Sequence, residues 1–113
     1  MTDSKSGWTQ VTRALHALAC DADTCDLPRI ALIYHAEAAW ASGHFAGARH
    51  TVALGFGHGA GQAATEAYIA RLPDHDFDLP GLIVADAHII KVERDFAAGT
   101  TIVVAELLIV KED

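Results

Sequence analysis

The sequence predicts a two-layer α+β sandwich, in which two helices cover one face of a four-stranded, mainly antiparallel sheet. Three observations lead to this fold class. Apolar residues recur at helical spacing in two segments, they alternate at strand spacing in two others, and residues 82–110 form the most β-branched and apolar part of the chain. The predicted order is α-β-β-α-β-β, which we assign to a single domain over residues 1–113.

The first half of the chain predicts one helix and two strands. Residues 1–7 are polar, and we expect a flexible N-terminal tail there. Residues 8–20 predict a helix, because apolar side chains recur at helical spacing: Trp8, Val11, Leu15 and Leu18. Alternating patterns predict a first strand over residues 29–40 and a second over residues 49–56, joined by a turn region.

The second half predicts a helix followed by a long hairpin. Residues 62–72 form the predicted helix, which Pro73 ends and whose core side carries Thr65, Tyr68, Ile69 and Leu72. The stretch 82–110 predicts two strands joined by a turn at residues 95–99. Its apolar character places it at the centre of the sheet, and both of its faces are apolar. The face that the helices leave open must therefore meet a partner subunit, a ligand or more of the chain.

A polar cluster is predicted on that open face. Alternation puts Asp86 and His88 on one side of the strand, together with Val84, Ile90 and Val92. The other side carries Ala85, Ala87 and Ile89, and we assign it to the helices because small residues let a helix pack closely. A three-residue loop between Asp95 and Gly99 would set His88 opposite Glu106 and Asp86 opposite Leu108, with Ile90 opposite Val104 and Val92 opposite Ile102.

The cluster allows three interpretations. In the first, His88 is a catalytic proton-transfer residue, oriented by Glu106 or Asp86. In the second, His35 and Glu37 of the first strand share the face, so that His35 and His88 bind a metal ion. In the third, the pair of His88 and Glu106 only satisfies two polar groups at a subunit interface.

A glycine-rich run, residues 55–61, follows a strand and opens a helix, which is the usual setting for an anion site. Gly57, His58 and Gly59 would form that site. The run also fits the loose dinucleotide-binding pattern, but that pattern belongs to a parallel β-α-β unit, and the neighbouring strands here are predicted to be antiparallel. The alternative is that the glycines only permit a tight turn.

Composition excludes several functions. The chain has 15 acidic and 8 basic residues, and its arginines are spread singly, so nucleic-acid binding is not expected. No apolar run reaches the length of a membrane span and no signal peptide is visible, which predicts a cytoplasmic protein. Cys20 and Cys25 have neither zinc-ribbon nor redox spacing, and no serine lies in a nucleophile motif, so covalent hydrolysis is not expected.

The expected function is self-association. We expect a homo-oligomer, most simply a dimer, that uses the open apolar sheet face for assembly. The alternative is a dimeric α+β-barrel type of enzyme, or a protein that binds a small molecule or metal, with the His/carboxylate site inside. The sequence leaves open whether the protein is an enzyme, and it assigns no cofactor.

A further alternative comes from a resemblance. Small phage tail-completion proteins have a comparable order of helices and strands, and residues 40–54 are similar to the segment between two of their strands. This resemblance implies an assembly protein.

Overall fold

A computed structural model of the chain describes residues 2–20, 30–57 and 62–111. The helices are α1 (Thr2–Cys20) and α2 (Gln62–Arg71), the latter followed by a 3₁₀ turn (Leu72–Asp74), and the strands are β1 (Ile30–Ser42), β2 (Phe45–Phe56), β3 (Leu82–Asp95) and β4 (Thr100–Lys111). The order α-β-β-α-β-β is therefore confirmed. Helix α1 begins at Thr2 and includes most of the expected tail, and Cys25 lies outside the described residues.

The sheet has the strand order β1-β2-β4-β3, and each neighbouring pair is antiparallel. Strands β2 and β4 are central, while β1 and β3 are edges. The expectation that the whole C-terminal hairpin lies at the sheet centre was therefore right for β4 and wrong for β3. Strands β1 and β2 are also longer than expected, because they meet at a two-residue turn in which Gly43 has a φ of +59°.

Both helices pack on one face of the sheet, as the sequence predicts. One buried cluster joins the apolar sides of the helices to alternate residues of the strands. Its helical members are Val11, Leu15, Leu18, Ala19 and Tyr68. Its sheet members are Ile30, Val52, Leu54, Phe56, Ala87, Val103, Ala105, Leu107 and Ile109. Removing this apolar surface from water is the main favourable contribution to folding.

Two β-bulges change which side chains of β3 share a face. The loop between β3 and β4 has four residues rather than three, because Asp95 pairs with Thr100. A bulge at Ile90 absorbs the extra residue, so that Lys91, not Ile90, lies opposite Val104. As a result Val92 pairs with Val103 and faces the helices. The sequence had instead predicted that Val92 lies on the open side, opposite Ile102.

The second bulge, at Ala85, moves Val84 to the helix side, where it pairs with Ile109. Between the two bulges the register is the predicted one. His88 lies opposite Glu106, and Asp86 lies opposite Leu108. The predicted cross-strand pair is therefore correct, although the loop length on which the prediction depended was not.

Tyr68 offers a test of the core. Its side chain is 1% exposed, its hydroxyl has no hydrogen-bond partner among the described residues, and burial raises the pKa of the phenol. An unpaired buried hydroxyl costs about 1–3 kcal/mol, so Tyr68→Phe is expected to raise the free energy of unfolding by about 1 kcal/mol. The phenylalanine ring keeps the contact with Phe56, whose ring centroid is 5.4 Å away.

Urea unfolding measures this effect, with Tyr34→Phe as the control, because Tyr34 is 55% exposed and its hydroxyl carries no burial cost. A loss of stability in Tyr68→Phe alone would mean that the hydroxyl has a partner.

Candidate functional site

The sheet side that faces away from the helices is the candidate site, and we call it the open face. Its centre is formed by the even-numbered residues of β4: Ile102, Val104, Glu106, Leu108 and Val110. No described element packs on it, and these five side chains remain partly exposed. The alternation of strand side chains explains why both sides of β4 are apolar: its odd residues fill the core, and its even residues form this second surface.

A polar cluster lies in the middle of the open face. His88 and Glu106 are cross-strand partners on β3 and β4, and Asp86 is the next residue of β3 on the same side. The imidazole of His88 lies between the two carboxylates. Its Nδ1 is 3.0 Å from Oδ2 of Asp86, and its Nε2 is 3.4 Å from Oε1 of Glu106. Arg49 of β2 approaches the same Glu106 oxygen at 3.9 Å.

These contacts bring together the three residues that the sequence predicted as catalytic: Asp86, His88 and Glu106. Both ring nitrogens of His88 are engaged, so a protonated imidazole would donate to both carboxylates at once. The side chains are at least partly exposed, at 43% for His88, 28% for Glu106 and 61% for Asp86, so water screens their interactions. The residues of the cluster have the types needed for general acid-base chemistry, but water reaches all three.

His35 does not join this cluster. A bulge between Leu32 and Tyr34 reverses the alternation of β1, so His35 and Glu37 pair with Val52 and His50 on the helix side of the sheet. The predicted metal site of His35 and His88 is therefore wrong within one chain, because the two histidines lie on opposite faces. Among the described residues, no group of three or more histidine, cysteine or carboxylate side chains is arranged to hold a metal ion.

His35 has a different partner, which sequence reasoning missed. Its Nε2 is 2.9 Å from Nδ1 of His50, and the two rings are nearly parallel, with centroids 5.1 Å apart. A short nitrogen contact at that centroid distance places the rings edge to edge, so one nitrogen must donate and the other accept. Burial, and then the neighbouring His50, lower the pKa of His35 to about 4. Burial also lowers the pKa of His50, and Glu37 opposes that shift.

Of the predicted anion site, only Gly57 lies within the described residues, and His58 and Gly59 lie outside them. Gly57 lines a shallow cavity of about 300 Å³ together with Thr65 and Arg94. Arg94, which would attract an anion there, is paired with Glu66 at 3.0 Å. The described part of this segment therefore gives the anion site no support.

Apolar side chains lie on the open face on both sides of the polar cluster. The most exposed ones are, by relative exposure, Phe45 at 63%, Ile33 and Tyr34 at 55% and Ile83 at 49%. At one end a shallow cleft of about 270 Å³ lies between β1 and β4 and is lined by Ile33, Gly55 and Ile102. Sequence reasoning did not include Arg49 or Phe45 in the site. The alternation of β2 places Arg49 on the same side as Thr51, so the sequence did carry a signal for Arg49. Phe45 was missed because the sequence assigned it to a turn.

The fold and its open face define the class of protein: an α+β sandwich with one sheet face uncovered by the described residues. No family model matches the chain, and no similar curated protein or solved structure was found. None of the described helices has both the length and the apolar character that crossing a membrane requires.

Proposed function

We propose that this protein is a cytoplasmic assembly protein that self-associates through its open face, with a second copy of the chain as the occupant. The observation that carries the proposal is the apolar surface around the polar cluster. Exposed Ile33, Tyr34, Phe45 and Ile83 adjoin the half-buried apolar residues of β4. Exposed apolar side chains gathered on one uncovered sheet face are a common mark of an interface.

The dimensions of the open face fit a stable interface. Four strands about 4.8 Å apart, each about twelve residues long at roughly 3.3 Å per residue, give a face on the order of 750 Å². Stable interfaces bury about 800 Å² per partner. A second copy that covers this face would therefore bury an area typical of a specific dimer.

The charges of the open face also favour a second copy. The whole chain has a net charge of −7, which makes two copies repel each other in general. On the open face, however, four carboxylates stand beside two cations and His88: Asp86, Glu93, Asp95 and Glu106 with Arg49 and Lys91. The net charge of this face is thus −2 with a neutral histidine and −1 with a protonated one. The open face therefore carries only a small part of the net charge of the chain, which keeps the repulsion between two copies low there.

The test is the mass of the wild-type protein and of two lysine variants by native mass spectrometry. Ile83→Lys puts a charge on the open face, and we expect it to lower the oligomer mass and to weaken association at least tenfold. Val92→Lys is the matched control, because Val92 lies on the same strand, is 37% exposed and faces the helices. A monomeric wild type, or equal masses for the two variants, would contradict the proposal.

His88→Ala separates self-association from the ligand-binding alternative. If the cluster serves the interface, the variant leaves Asp86 and Glu106 without the imidazole between them, so the oligomer weakens and no small molecule is seen in the wild-type spectrum. If the cluster is a site for a metal or small molecule, the oligomer persists and a bound mass disappears. An assembly role similar to that of phage tail-completion proteins shares the first outcome.

A further inference from the structure

The two edges of the sheet differ in how well they are protected against pairing with another strand. Edge strands expose unpaired N–H and C=O groups, and proteins commonly shield them with bulges and charged side chains. Strand β3 has two bulges and a run of charges at its far end: Lys91, Glu93, Arg94 and Asp95. These features prevent another strand from pairing with β3 over many residues.

Over most of its length, strand β1 has neither a bulge nor a run of charged side chains. Its only irregularity is the bulge near Ile33, at its beginning, and Glu37 is its only carboxylate. Between this bulge and the turn at Gly43, residues 34–42 run regularly along β2. Four of those residues are alanines, which leave the backbone accessible: Ala36, Ala38, Ala39 and Ala41. No described residue pairs with the outer side of β1.

We propose that β1 pairs antiparallel with β1 of a second copy of this chain, joining two sheets edge to edge. This interface is separate from the open face and does not depend on it. An antiparallel pair of identical strands has two-fold symmetry, so the same residues serve on both copies.

The hairpin turn identifies which backbone groups are available. Ser42 and Phe45 flank a two-residue turn, and such a closing pair exchanges both of its hydrogen bonds. The N–H of Ser42 therefore points to β2, and alternation directs the N–H groups of Ala38 and Trp40 the same way. The N–H groups of Ala39 and Ala41 point outward, as do those of His35 and Glu37.

The same geometry selects a register for the pair. A two-fold axis at Ala38 pairs residues 34–42 with their copies without crossing the bulge. It sets Glu37 opposite Ala39 and His35 opposite Ala41, and the outward N–H groups of Glu37 and Ala39 then point toward the second copy. An axis at Glu37 would instead place two like charges directly opposite each other, which is unfavourable. We therefore assign the axis to Ala38.

Two adjacent alanines provide a matched test. Proline lacks the N–H group, so Ala39→Pro removes an outward donor and leaves the β1–β2 pairing intact, whereas Ala38→Pro removes a donor to β2. We expect Ala39→Pro to halve the oligomer mass while keeping the wild-type melting temperature at high dilution. Ala38→Pro is expected to lower that temperature. An unchanged mass for Ala39→Pro would overturn the proposal.

Cross-linking tests the register. In a background with Cys20→Ser and Cys25→Ser, Ala38→Cys is expected to form a disulfide-linked dimer, because the two copies of residue 38 face each other across the axis. Ala85→Cys, on the other edge strand, is the control and is expected to remain monomeric on a denaturing gel. Equal cross-linking of the two variants would overturn the register.

The two proposed interfaces can be tested independently of each other. Loss of mass in Ile83→Lys alone would support the open face and contradict edge pairing, and loss in Ala39→Pro alone would do the reverse. If both interfaces form and their two-fold axes intersect at right angles, the assembly is a tetramer, and each variant reduces it to a dimer.

Discussion

Gly47→Ala is expected to lower the free energy of unfolding by about 3 kcal/mol. A Cβ at this position would overlap the carbonyl oxygen of Ile109 and lie 2.9 Å from its carbonyl carbon. Both are backbone atoms of central strand β4, and they cannot move without disturbing the β2–β4 ladder, in which Gly47 pairs with Val110. Overpacking that forces a backbone shift typically costs 1–3 kcal/mol, and a central ladder belongs at the upper end of that range.

Gly55→Ala is the matched control for this prediction. Gly55 lies on the same strand, and a Cβ there would come within 2.9 Å of Cδ1 of Ile33. That atom is the end of a flexible, half-exposed side chain and can rotate away, so the expected cost is below about 1 kcal/mol. Urea unfolding of the two variants checks the difference. Equal costs would show that β4 can shift away from β2.

Acidification is expected to destabilise the protein through the pair of His35 and His50. Burial lowers the pKa of both histidines in the folded protein, to about 4 for His35, whereas an unfolded histidine titrates near 6.5. Between these values the unfolded chain binds protons that the folded protein does not, so stability falls as pH decreases from about 6.5 to about 4. Above pH 7 both histidines are neutral in the folded and in the unfolded state, so the pair contributes no pH dependence to the stability.

The size of this effect is about 1–2 kcal/mol, because His35 is only partly buried and its contact with solvent reduces the cost of charging it. Protonation also removes the acceptor nitrogen of the His35–His50 hydrogen bond. Thermal unfolding at several pH values measures the slope. The double variant His35→Gln/His50→Gln is expected to flatten it between pH 6.5 and 4. If the slope is the same in the wild type and the variant, the pair does not cause it.

The sequence predicted the element order and the helix-covered face, because both follow from local periodicity. The pair of His88 and Glu106 was also predicted, but only because the bulge at Ile90 offsets the extra residue in the loop. The sequence did not predict which residues share a face across a bulge. A bulge inserts one residue without any fixed sequence signal, and beyond it every side chain changes sides. For this reason Val92 moved to the helix side, and His35 separated from His88.

The strand order was also beyond sequence reasoning. Strand β3 is apolar enough for a central strand, yet it lies at an edge, because β2 takes the other side of β4. That choice depends on tertiary pairing, and the only sign of an edge in the composition of β3 is the run of charged residues at its end. The close approach of Gly47 to β4 has the same origin: it follows from which strand lies beside β2.

The bulge at Ile90 has a consequence for how this chain tolerates change in length. It lies between the β3–β4 loop and the polar cluster, and it takes up the one residue by which that loop exceeds the three-residue form. Deletion of one residue from 96–99 can therefore be compensated by loss of the bulge at Ile90 before it reaches His88. A turn that is shorter by one residue thus leaves the alignment of His88 with Glu106 unchanged.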